Sequence, residues 1–258
     1  MITLLTDFGL ADPFIGIMKG VIAGIAPGET VVDLTHEVPA FEITSGAFLL
    51  EQSWRYFPKG TVHVAVVDPG VGSARRPILV ETGGHYFVGP DNGIFSFLLQ
   101  MEKAKVRWIQ KEKFFLQPVS NTFHGRDVFA PIGAHLAAGG KPARFGPVIE
   151  DAFRSKLIEP VRMSRRAWTG SVLHVDRFGN LVTNYSAAQF GELRNRPFEM
   201  VAGLERVELI ASTYANCPPE MLCVIAGSSG YYEISLSMAS AAKRTGLRTG
   251  SPLELTLG

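Results

Sequence analysis

The chain has 258 residues, and its 25 Lys and Arg nearly balance its 24 Asp and Glu, which leaves a formal net charge of +1. Because binding to nucleic acid relies on clustered positive charge, this balance argues against a nucleic-acid partner. A hydrophobic content of 46% with 19% charged residues excludes a disordered chain, and it suffices for one large or two modest folded domains.

The cysteine content and the apolar runs bear on where the protein works. Cys217 and Cys223 form no CxxC pair and no disulfide framework, so we expect a reducing, cytoplasmic environment. The first apolar run reaches polar residues by Thr6, too soon for a signal peptide. No apolar run approaches the roughly 20 residues that a membrane span needs. We therefore expect a soluble protein without a membrane partner.

The first half of the chain alternates between strand and helix patterns. Short apolar or β-branched runs predict strands at Ile2–Leu5, Thr30–Leu34, Thr61–Val67, Ile78–Glu81 and Tyr86–Val88. Apolar residues at helical spacing predict helices at Pro13–Ile25, Glu42–Tyr56 and Phe129–Ala138. This alternation is typical of an α/β domain with a mostly parallel sheet flanked by helices.

The pattern changes across residues 145–165, where prolines and mixed charges interrupt it. Beyond this stretch the sequence predicts strands at Gly170–Val175, Leu181–Tyr185, Val207–Ala211, Leu222–Ala226, Tyr231–Leu236 and Leu253–Leu257, with one helical segment near Met238–Thr245. A small antiparallel β-barrel is the simplest arrangement, because closure removes exposed strand edges. We therefore predict an N-terminal α/β domain, residues 1–158, and a C-terminal β-barrel domain, residues 165–258.

Two aspartates follow the first predicted strand in the string TDFGLAD. Open α/β sheets bind ligands at the carboxyl ends of their strands, where Asp7 stands. A carboxylate there can accept hydrogen bonds from both hydroxyls of a ribose. A structural role as the cap of the following helix explains Asp12 at least as well as a functional role does. We therefore favour a functional role for Asp7.

Asp68 ends the clearest strand, in the string VVDPGVGSARR. The Pro-Gly turn lets the chain reverse, which would bring either Arg75 or Arg76 back near Asp68. A plain β-turn with a surface arginine fits this spacing equally well.

His124, in NTFHGRDVFAP, has the most polar and site-like surroundings of the six histidines. The chain has no Cys/His cluster, which argues against a structural zinc site. Asp7, Asp12, Asp33 and His36 could in principle gather around a hard metal ion. That possibility stays open at this point.

Two strings in the second half contain small and polar residues that could contact a ligand. VDRFGNLVTN places Asp176 and Asn180 around a Phe-Gly turn, and AGSSGYYEI contains Ser228, Ser229 and Glu233. Small residues let backbone amides approach a ligand, and an Asn side chain can recognise a base edge. Two tight hairpins explain the strings more simply. From the residues alone, we infer a two-domain α/β enzyme with an acidic site suited to a sugar.

Six strings considered together go further. TDFG, VVDPGVGSARR, VGPDNG, NTFHGRDVFAP, VDRFGNLVTN and GSSGYYEI follow one another along the chain. In this order the sequence resembles the S-adenosylmethionine hydroxide adenosyltransferase family, which shares a superfamily with fluorinase and chlorinase. The resemblance extends from about Thr6 to Met238 and is specific because six ordered motifs take part.

The resemblance implies an N-terminal α/β domain, a C-terminal β-barrel and a homotrimer with active sites between subunits. It implies that water or hydroxide attacks C5′ of S-adenosylmethionine, yielding adenosine and L-methionine without a metal or a cofactor. The family's catalytic residues fall on Asp68, Arg75 and His124, its ribose carboxylate on Asp7 and its aromatic residue beside the ribose on Phe41. Its adenine and methionine contacts fall on Asp176, Asn180, Tyr214, Ser228, Ser229, Glu233 and Met238.

The chain departs from fluorinase at the positions that would meet the nucleophile. Fluorinase has Tyr where this chain has Asp68 and His124, and a long insertion where only Thr82–His85 joins two strands here. An anionic Asp68 repels a halide, whereas water can donate a hydrogen bond to it. These differences favour a hydrolase over a halogenase. Ser229 stands where fluorinase has Arg, which leaves the anchor of the methionine carboxylate open.

The implied chemistry depends on the position of the water. A sulfonium departs as a neutral group and needs no general acid, so one water must be held in line with the C5′–S bond. Such positioning contributes up to ~7–11 kcal/mol in favourable cases. Asp68 and His124 would orient this water. Whether His124 removes a proton or Arg75 stabilises a bound hydroxide stays open here.

Three rival functions remain. A calcium-dependent nucleoside hydrolase also has an acidic ribose site, but its aspartates are packed more densely than in TDFGLAD. A binding protein would hold adenosine or S-adenosylmethionine without turnover. A halide-using adenosyl transferase would form a halogenated adenosine. Metal dependence and the identity of the product discriminate among them.

Overall fold

Separate hydrophobic cores divide the chain into a first unit, Met1–Ser155, and a second unit, Lys156–Gly258. The computed structural model describes residues 1–155 and 159–258. The end that we predict for the first domain, at residue 158, lies outside the described residues. In the described part of the chain, no helix is both long and apolar enough to cross a membrane.

A seven-stranded sheet forms the centre of the first unit. Its strands are β1 (Ile2–Thr6), β2 (Val31–Thr35), β3 (Val62–Val66), β4 (Pro77–Thr82), β5 (His85–Pro90), β6 (Lys105–Trp108) and β7 (Val148–Ile149). In the order β2-β1-β3-β5-β4-β6-β7, the first four strands are parallel and the last three join antiparallel. The predicted α/β class is confirmed. The short β6 and β7 lack an apolar run and escaped the sequence analysis.

Helices cover both faces of this sheet. They are α1 (Phe14–Ile25), α2 (Ile43–Ser53) and α3 (Ala130–Ala137), and a π-helix, Gly125–Phe129, leads directly into α3. Gly133 of α3 packs on Val64, and α1 packs beside α3. Gly46 of α2 packs instead on Leu5 and Val67. Because successive residues of a strand point to opposite faces, α2 lies on the other side of the sheet from α1 and α3.

The parallel register places the candidate residues at one edge of the sheet. β1 and β3 pair in parallel with Thr6 opposite Val66. Asp7 follows β1 directly, and Asp68 follows β3 after one more residue. Both carboxylates therefore lie at the carboxyl ends of adjacent strands, where open α/β sheets bind ligands.

The second unit is a single curled sheet around its own core. Its elements are β8 (Val161–Arg162), β9 (Ala167–Val175), β10 (Leu181–Ser186), β11 (Phe198–Ala202), β12 (Glu205–Val207), β13 (Ile210–Ala211), β14 (Leu222–Ala226), β15 (Tyr231–Leu236), β16 (Pro252–Leu257) and α4 (Ala241–Thr245). The order is β12-β11-β16-β9-β10-β15-β14-β13, with β8 beside β9. All pairs are antiparallel except β13 with β14, and the sheet curls until β12 approaches β14. The predicted antiparallel barrel-like unit is confirmed, in the form of a half-barrel.

Three details of the second unit differ from the sequence prediction. The run Val207–Ala211 divides between the short strands β12 and β13. β11 was not predicted, although its alternating buried residues give it an amphipathic pattern. The helix near Met238 begins only at Ala241, because Ser240 accepts a hydrogen bond from the Lys243 amide and caps it there.

Buried polar side chains on β1, β3 and β5 are linked by hydrogen bonds within the core of the first unit. A hydrogen bond of 2.7 Å joins Thr3 Oγ1 to His63 Nδ1, and another of 3.2 Å joins His63 Nε2 to His85 Nδ1. The His63 ring also stacks on Phe87. Burial, together with the nearby His85, lowers the pKa of His63 to about 3. His63 is therefore neutral throughout the physiological range.

This depressed pKa predicts a loss of stability in acid. Between pH 6.5 and pH 3 the unfolded chain binds a proton at His63 that the folded chain does not, so the free energy of unfolding falls as the pH falls. His63 contributes a slope of up to about 1.4 kcal/mol per pH unit. Denaturant titrations from pH 7 to pH 4 should show a shallower slope for His63→Gln than for the wild type. Burial also lowers the pKa of half-buried His135, so His135→Gln, as the comparison variant, should make the slope shallower by less than His63→Gln. An unchanged slope in His63→Gln would contradict the assignment.

Candidate active site

The turn after β3 brings Arg75 back to Asp68. Backbone hydrogen bonds from Val71 to Asp68 and from Ser73 to Gly70 close two successive turns. At Gly72 the backbone has φ of 76° and passes so close to the Asn121 carbonyl that a Cβ would collide with it. Only glycine fits this conformation and this approach without strain. The sequence of the turn therefore determines where the arginine returns.

Arg75 binds Asp68 through two parallel hydrogen bonds. Arg75 Nε donates to Asp68 Oδ1 at 3.0 Å, and Arg75 Nη2 donates to Asp68 Oδ2. The side chains are 8% and 4% exposed, so the pair is shielded from water. Arg75 Nη1 is buried and has no hydrogen-bond partner among the described residues. One donor of a buried guanidinium is therefore left over beside a buried carboxylate, which is costly unless another group meets it.

The neighbouring arginine has a different role. Arg76 donates to Asp91 at 2.7 Å and 3.0 Å and to the Asp151 carboxylate at 2.9 Å. Of the two arginines between which the sequence left a choice, only Arg75 meets Asp68. Arg76 ties the same turn to the end of the first unit.

His124 completes the cluster as a hydrogen-bond acceptor. Its Nδ1 lies 2.8 Å from Arg75 Nη2. A guanidinium has only donors, so Nδ1 must accept, and the neutral imidazole carries its proton on Nε2. Burial lowers the pKa of His124, and the Arg75 charge lowers it further, against smaller opposing effects of Asp68 and Asp127. His124 is therefore a neutral ring that offers an N–H donor from Nε2.

Buried Asp127 holds the segment around His124. The carboxylate of Asp127 accepts from the Arg126 guanidinium and, at 2.8 Å, from the Ser120 amide. The π-helix begins directly after His124, and such wide turns are frequent at functional sites. Sequence analysis identified His124 but gave no sign of this support.

Asp7 ties the end of β1 to the loop that follows β2. Its Oδ2 accepts a hydrogen bond of 2.9 Å from the Phe41 amide. Burial raises the pKa of Asp7, the hydrogen bond from Phe41 opposes this, and the Asp68 charge raises the pKa further. Phe41 has a positive φ of 69°, and its ring is 72% exposed. A strained, exposed aromatic residue held by a half-buried carboxylate is a candidate ligand contact.

A polar network that the sequence analysis interpreted differently supports the Asp7 turn. A hydrogen bond of 2.9 Å joins Thr6 Oγ1 to His36 Nδ1, while Thr6 Oγ1 also accepts from the Phe8 amide. His36 Nε2 lies 3.0 Å from Asp33 Oδ1, and Lys19 donates to the same carboxylate. The contacts of His36 and Asp33 thus hold the turn after β1 in place.

The described residues contain no group of three or more His, Cys, Asp and Glu side chains that could hold a metal ion. Asp7, Asp12, Asp33 and His36, a grouping that the sequence left open, therefore do not form such a group in the described part of the chain. Asp12 does not cap α1 either, because Pro13 occupies the cap position and no side chain caps the helix.

In the second unit, Asp176 organises the turn between β9 and β10. Its Oδ1 accepts from the amides of Phe178 and Asn180 at 2.9 Å and 2.8 Å. Its Oδ2 accepts from Asn180 Nδ2 at 2.8 Å. One amide hydrogen of Asn180 is thus used internally, whereas its Oδ1 has no hydrogen bond within the described part of the chain.

Tyr214 and Glu233 form a second polar pair in this unit. Tyr214 donates to Glu233 Oε2 at 2.7 Å. Burial raises the pKa of Glu233, the Tyr214 hydrogen bond opposes this, and the charge of Asp176 raises the pKa further. Burial also raises the pKa of Tyr214, as do Glu233 and Asp176. Asp176, Tyr214 and Glu233 therefore lie near one another.

The remaining predicted contacts lie on the connections around β15. Ser228 and Ser229 occupy the turn between β14 and β15, and Ser229 Oγ accepts from the Tyr231 amide. Gly227 packs so closely on Glu233 that a Cβ would collide with its carboxylate. Met238, just after β15, has a positive φ of 55° and a fully exposed side chain.

A buried carboxylate–guanidinium pair with a half-buried imidazole, at the carboxyl end of the parallel strand β3, is typical of α/β enzymes. Comparison with known families agrees with the resemblance inferred from the motifs. Residues 2–146 match the SAM hydroxide adenosyltransferase N-terminal domain, and residues 170–254 match the C-terminal domain. The chain belongs to the SAM hydroxide adenosyltransferase family.

Individual relatives extend over the whole chain. A Thermus thermophilus protein named (R)-S-adenosyl-L-methionine hydrolase is 37% identical over 259 residues, which cover 97% of each chain. A fluorinase of an Actinoplanes species is 25% identical over 71% of each chain. A crystal structure of an uncharacterized conserved protein from Thermotoga maritima superposes with a TM-score of 0.89 at 32% identity, covering 99% of this chain and all of that one.

The contact between Asp7 and Phe41 yields a prediction on nucleoside binding. Asp7→Ala removes the carboxylate that the resemblance assigns to the ribose and also releases the Phe41 amide, so we expect adenosine to bind ~10- to 100-fold more weakly. Asp7→Asn keeps an acceptor for Phe41 and should show a smaller loss. Titration calorimetry with adenosine measures both, and an unchanged affinity in Asp7→Ala would disprove the ribose role.

Proposed function

We propose that this protein hydrolyses S-adenosyl-L-methionine to adenosine and L-methionine. The observation that carries the proposal is the buried cluster of Asp68, Arg75 and His124, the three residues onto which the resemblance maps the reaction. Full-length relatives named as hydrolases support it. The name of these relatives specifies an (R) centre in addition to the L-amino acid. We take this centre to be the sulfonium sulfur and propose that this chain acts on the same epimer of the substrate.

The nucleophile is a water or hydroxide held against C5′. Asp68 accepts one of its hydrogens, because carboxylate oxygens act as acceptors and the double hydrogen bond with Arg75 holds them in place. Its negative charge repels halide ions. If water attacks, its oxygen becomes strongly acidic once it has bonded to C5′, and the Asp68 carboxylate can take that proton; attack by hydroxide yields the alcohol directly and needs no such transfer.

His124 acts as a donor in this mechanism. Its Nδ1 is occupied by Arg75 and its pKa is lowered by burial, so the neutral ring presents an N–H from Nε2. That donor stabilises negative charge on the attacking oxygen. Of the alternatives that the sequence left open, a bound hydroxide stabilised by Arg75 and His124 fits the hydrogen bonds better than proton removal by His124.

The substrate contacts follow from the same resemblance. Asp7 would bind the ribose hydroxyls, with Phe41 beside the sugar. In the second unit, the free Oδ1 of Asn180 could accept from the adenine amino group. The acidic pair Asp176 and Glu233 suits the methionine ammonium group.

The methionine carboxylate needs a different kind of partner. The turn with Ser228 and Ser229 offers hydroxyls and backbone amides, which suit a carboxylate. This turn would replace the arginine of fluorinase. Tyr214 and Met238 would complete the wall around the amino acid and the base.

The reaction as proposed uses neither a metal nor a cofactor, because the sulfonium leaves without assistance. The relatives do not favour the nucleoside hydrolase, the halide-using transferase or the non-catalytic binding protein. We further propose a cytoplasmic location, which the two free buried thiols support.

A homotrimer with active sites between subunits is the remaining part of the proposal. The resemblance implies it, and the exposed rings of Phe41 in the first unit and Tyr214 in the second support it. Each would be covered once a neighbouring subunit completes the site.

The role of His124 can be tested by substitution. We expect His124→Ala and Asp68→Asn each to lower kcat about 100-fold while changing substrate affinity little, because both contact the nucleophile. His124→Gln keeps an N–H donor and should retain more activity than His124→Ala. Because the pKa of His124 is lowered and the neutral form is active, the wild-type kcat should fall only below pH 6.5.

Stopped assays of adenosine release across pH 5–9 measure these effects. Equal activity of His124→Gln and His124→Ala would contradict the donor role. Wild-type turnover in Asp68→Asn would contradict the assignment of the nucleophile site.

Mixed oligomers test the shared site. If each site combines the first unit of one subunit with the second unit of the next, co-expressed Asp68→Asn and Asn180→Ala subunits should regain about a quarter of wild-type activity by random assembly. Light scattering should give three times the 28.1 kDa chain mass.

The matched control mixes Asp68→Asn with His124→Ala, which both alter the first unit and cannot rebuild an intact site. Sites contained within one subunit would give no recovery in either mixture, and that result would contradict the proposal.

A further inference from the structure

A cleft in the first unit leads from the surface to the nucleophile residues. It has a volume of about 740 Å³. Exposed residues surround its mouth: Trp108, Gln110, Glu112, Gln117 and Pro118. Its floor contains Arg75 and His124, beside buried Ile109 and Val128. Asp7 and Asp68, the two carboxylates of the site, do not line it. The cleft therefore approaches Arg75 and His124 from a side other than that of the proposed ribose contact.

One hydrogen-bonding group of a floor residue is used by no described protein atom: the proton on His124 Nε2. Arg75 Nη1 also lacks a partner among the described residues, but it is buried and does not itself face the open cleft. Polar groups in such positions are normally met by ordered water. A cleft of this volume has room for many waters, since each occupies about 30 Å³ in the liquid.

The charges along the cleft suit water better than anions. The positive charge of Arg75 is balanced by Asp68, and Glu112 adds a negative charge at the mouth. A halide or a carboxylate would therefore find little attraction on the way in. The amides of Gln110 and Gln117 at the mouth can bind water through donors and acceptors alike.

We propose that this cleft is the route by which the attacking water reaches Arg75 and His124 while S-adenosylmethionine occupies the ribose side of the site. The inference depends on the proposed hydrolysis. A substrate bound on the ribose side would block access to the nucleophile position from that side. A separate entrance lets water reach Arg75 and His124 without entering along the substrate's own path.

Narrowing the cleft tests the route. Val119 is half-buried in its wall, so Val119→Phe and Val119→Trp should lower kcat progressively, by about tenfold or more for Trp, whereas Val119→Ala widens the cleft and should not lower it. The affinity for S-adenosylmethionine should stay within about twofold. Gln117→Trp, at the exposed mouth, provides a second obstruction that leaves the core intact. Val148→Trp, on β7 and away from the cleft, is the matched control and should behave as wild type.

Calorimetry and the pH profile of kcat distinguish a blocked route from a disturbed site. A lower kcat whose decline at acidic pH occurs at the same pH as in the wild type (an unchanged acid limb) supports the route. Undiminished kcat in both folded Trp variants would overturn it, and so would a displaced acid limb, which would show that His124 had been altered. If the wild type itself releases no adenosine, the proposed hydrolysis fails rather than the route.

Discussion

The double hydrogen bond between Arg75 and Asp68 is the interaction on which the rest of the site depends. Removing one partner of a buried ion pair leaves an uncompensated charge and costs ~3–5 kcal/mol. Asp68 and Arg75 form such a pair, and the turn after β3 brings the two side chains together. It holds the Asp68 carboxylate in place, and through Nη2 it determines which nitrogen of His124 bears the proton. A single guanidinium thus positions both the acceptor and the donor that the proposed nucleophile would meet.

Much of the first unit could be predicted because its parallel strands are buried on both faces and appear as continuous apolar runs. β1 and β3 are examples, fully buried along their length. The antiparallel strands β6 and β7 could not be found in this way. β6 consists of Lys105–Trp108 and alternates charged with apolar residues over four positions, while β7 has only two residues. The pairing of β6 with β4 and of β7 with β6 depends on tertiary contacts that no local pattern records.

The motifs named the residues of the candidate site but did not show how these residues meet. Motif order was enough to select Asp68, Arg75 and His124, yet spacing alone could not decide between Arg75 and Arg76. The structure decides it, because Asp91 and Asp151 hold Arg76. The tautomer of His124 depends on a hydrogen bond across 49 residues of sequence, which only the fold reveals. Only the fold likewise shows that His36, which the sequence could place near Asp7 around a metal, supports the Asp7 turn through Thr6.

Hydrolysis of S-adenosylmethionine by water is the central claim, and product analysis tests it most directly. The purified protein, treated with EDTA, is incubated with the separated (R) and (S) sulfonium epimers, with and without chloride, and the products are resolved by chromatography. From the (R) epimer, the account predicts adenosine and methionine both with and without chloride. Chlorinated adenosine, free adenine, loss of activity after EDTA treatment, or an intact (R) epimer without any product would contradict it.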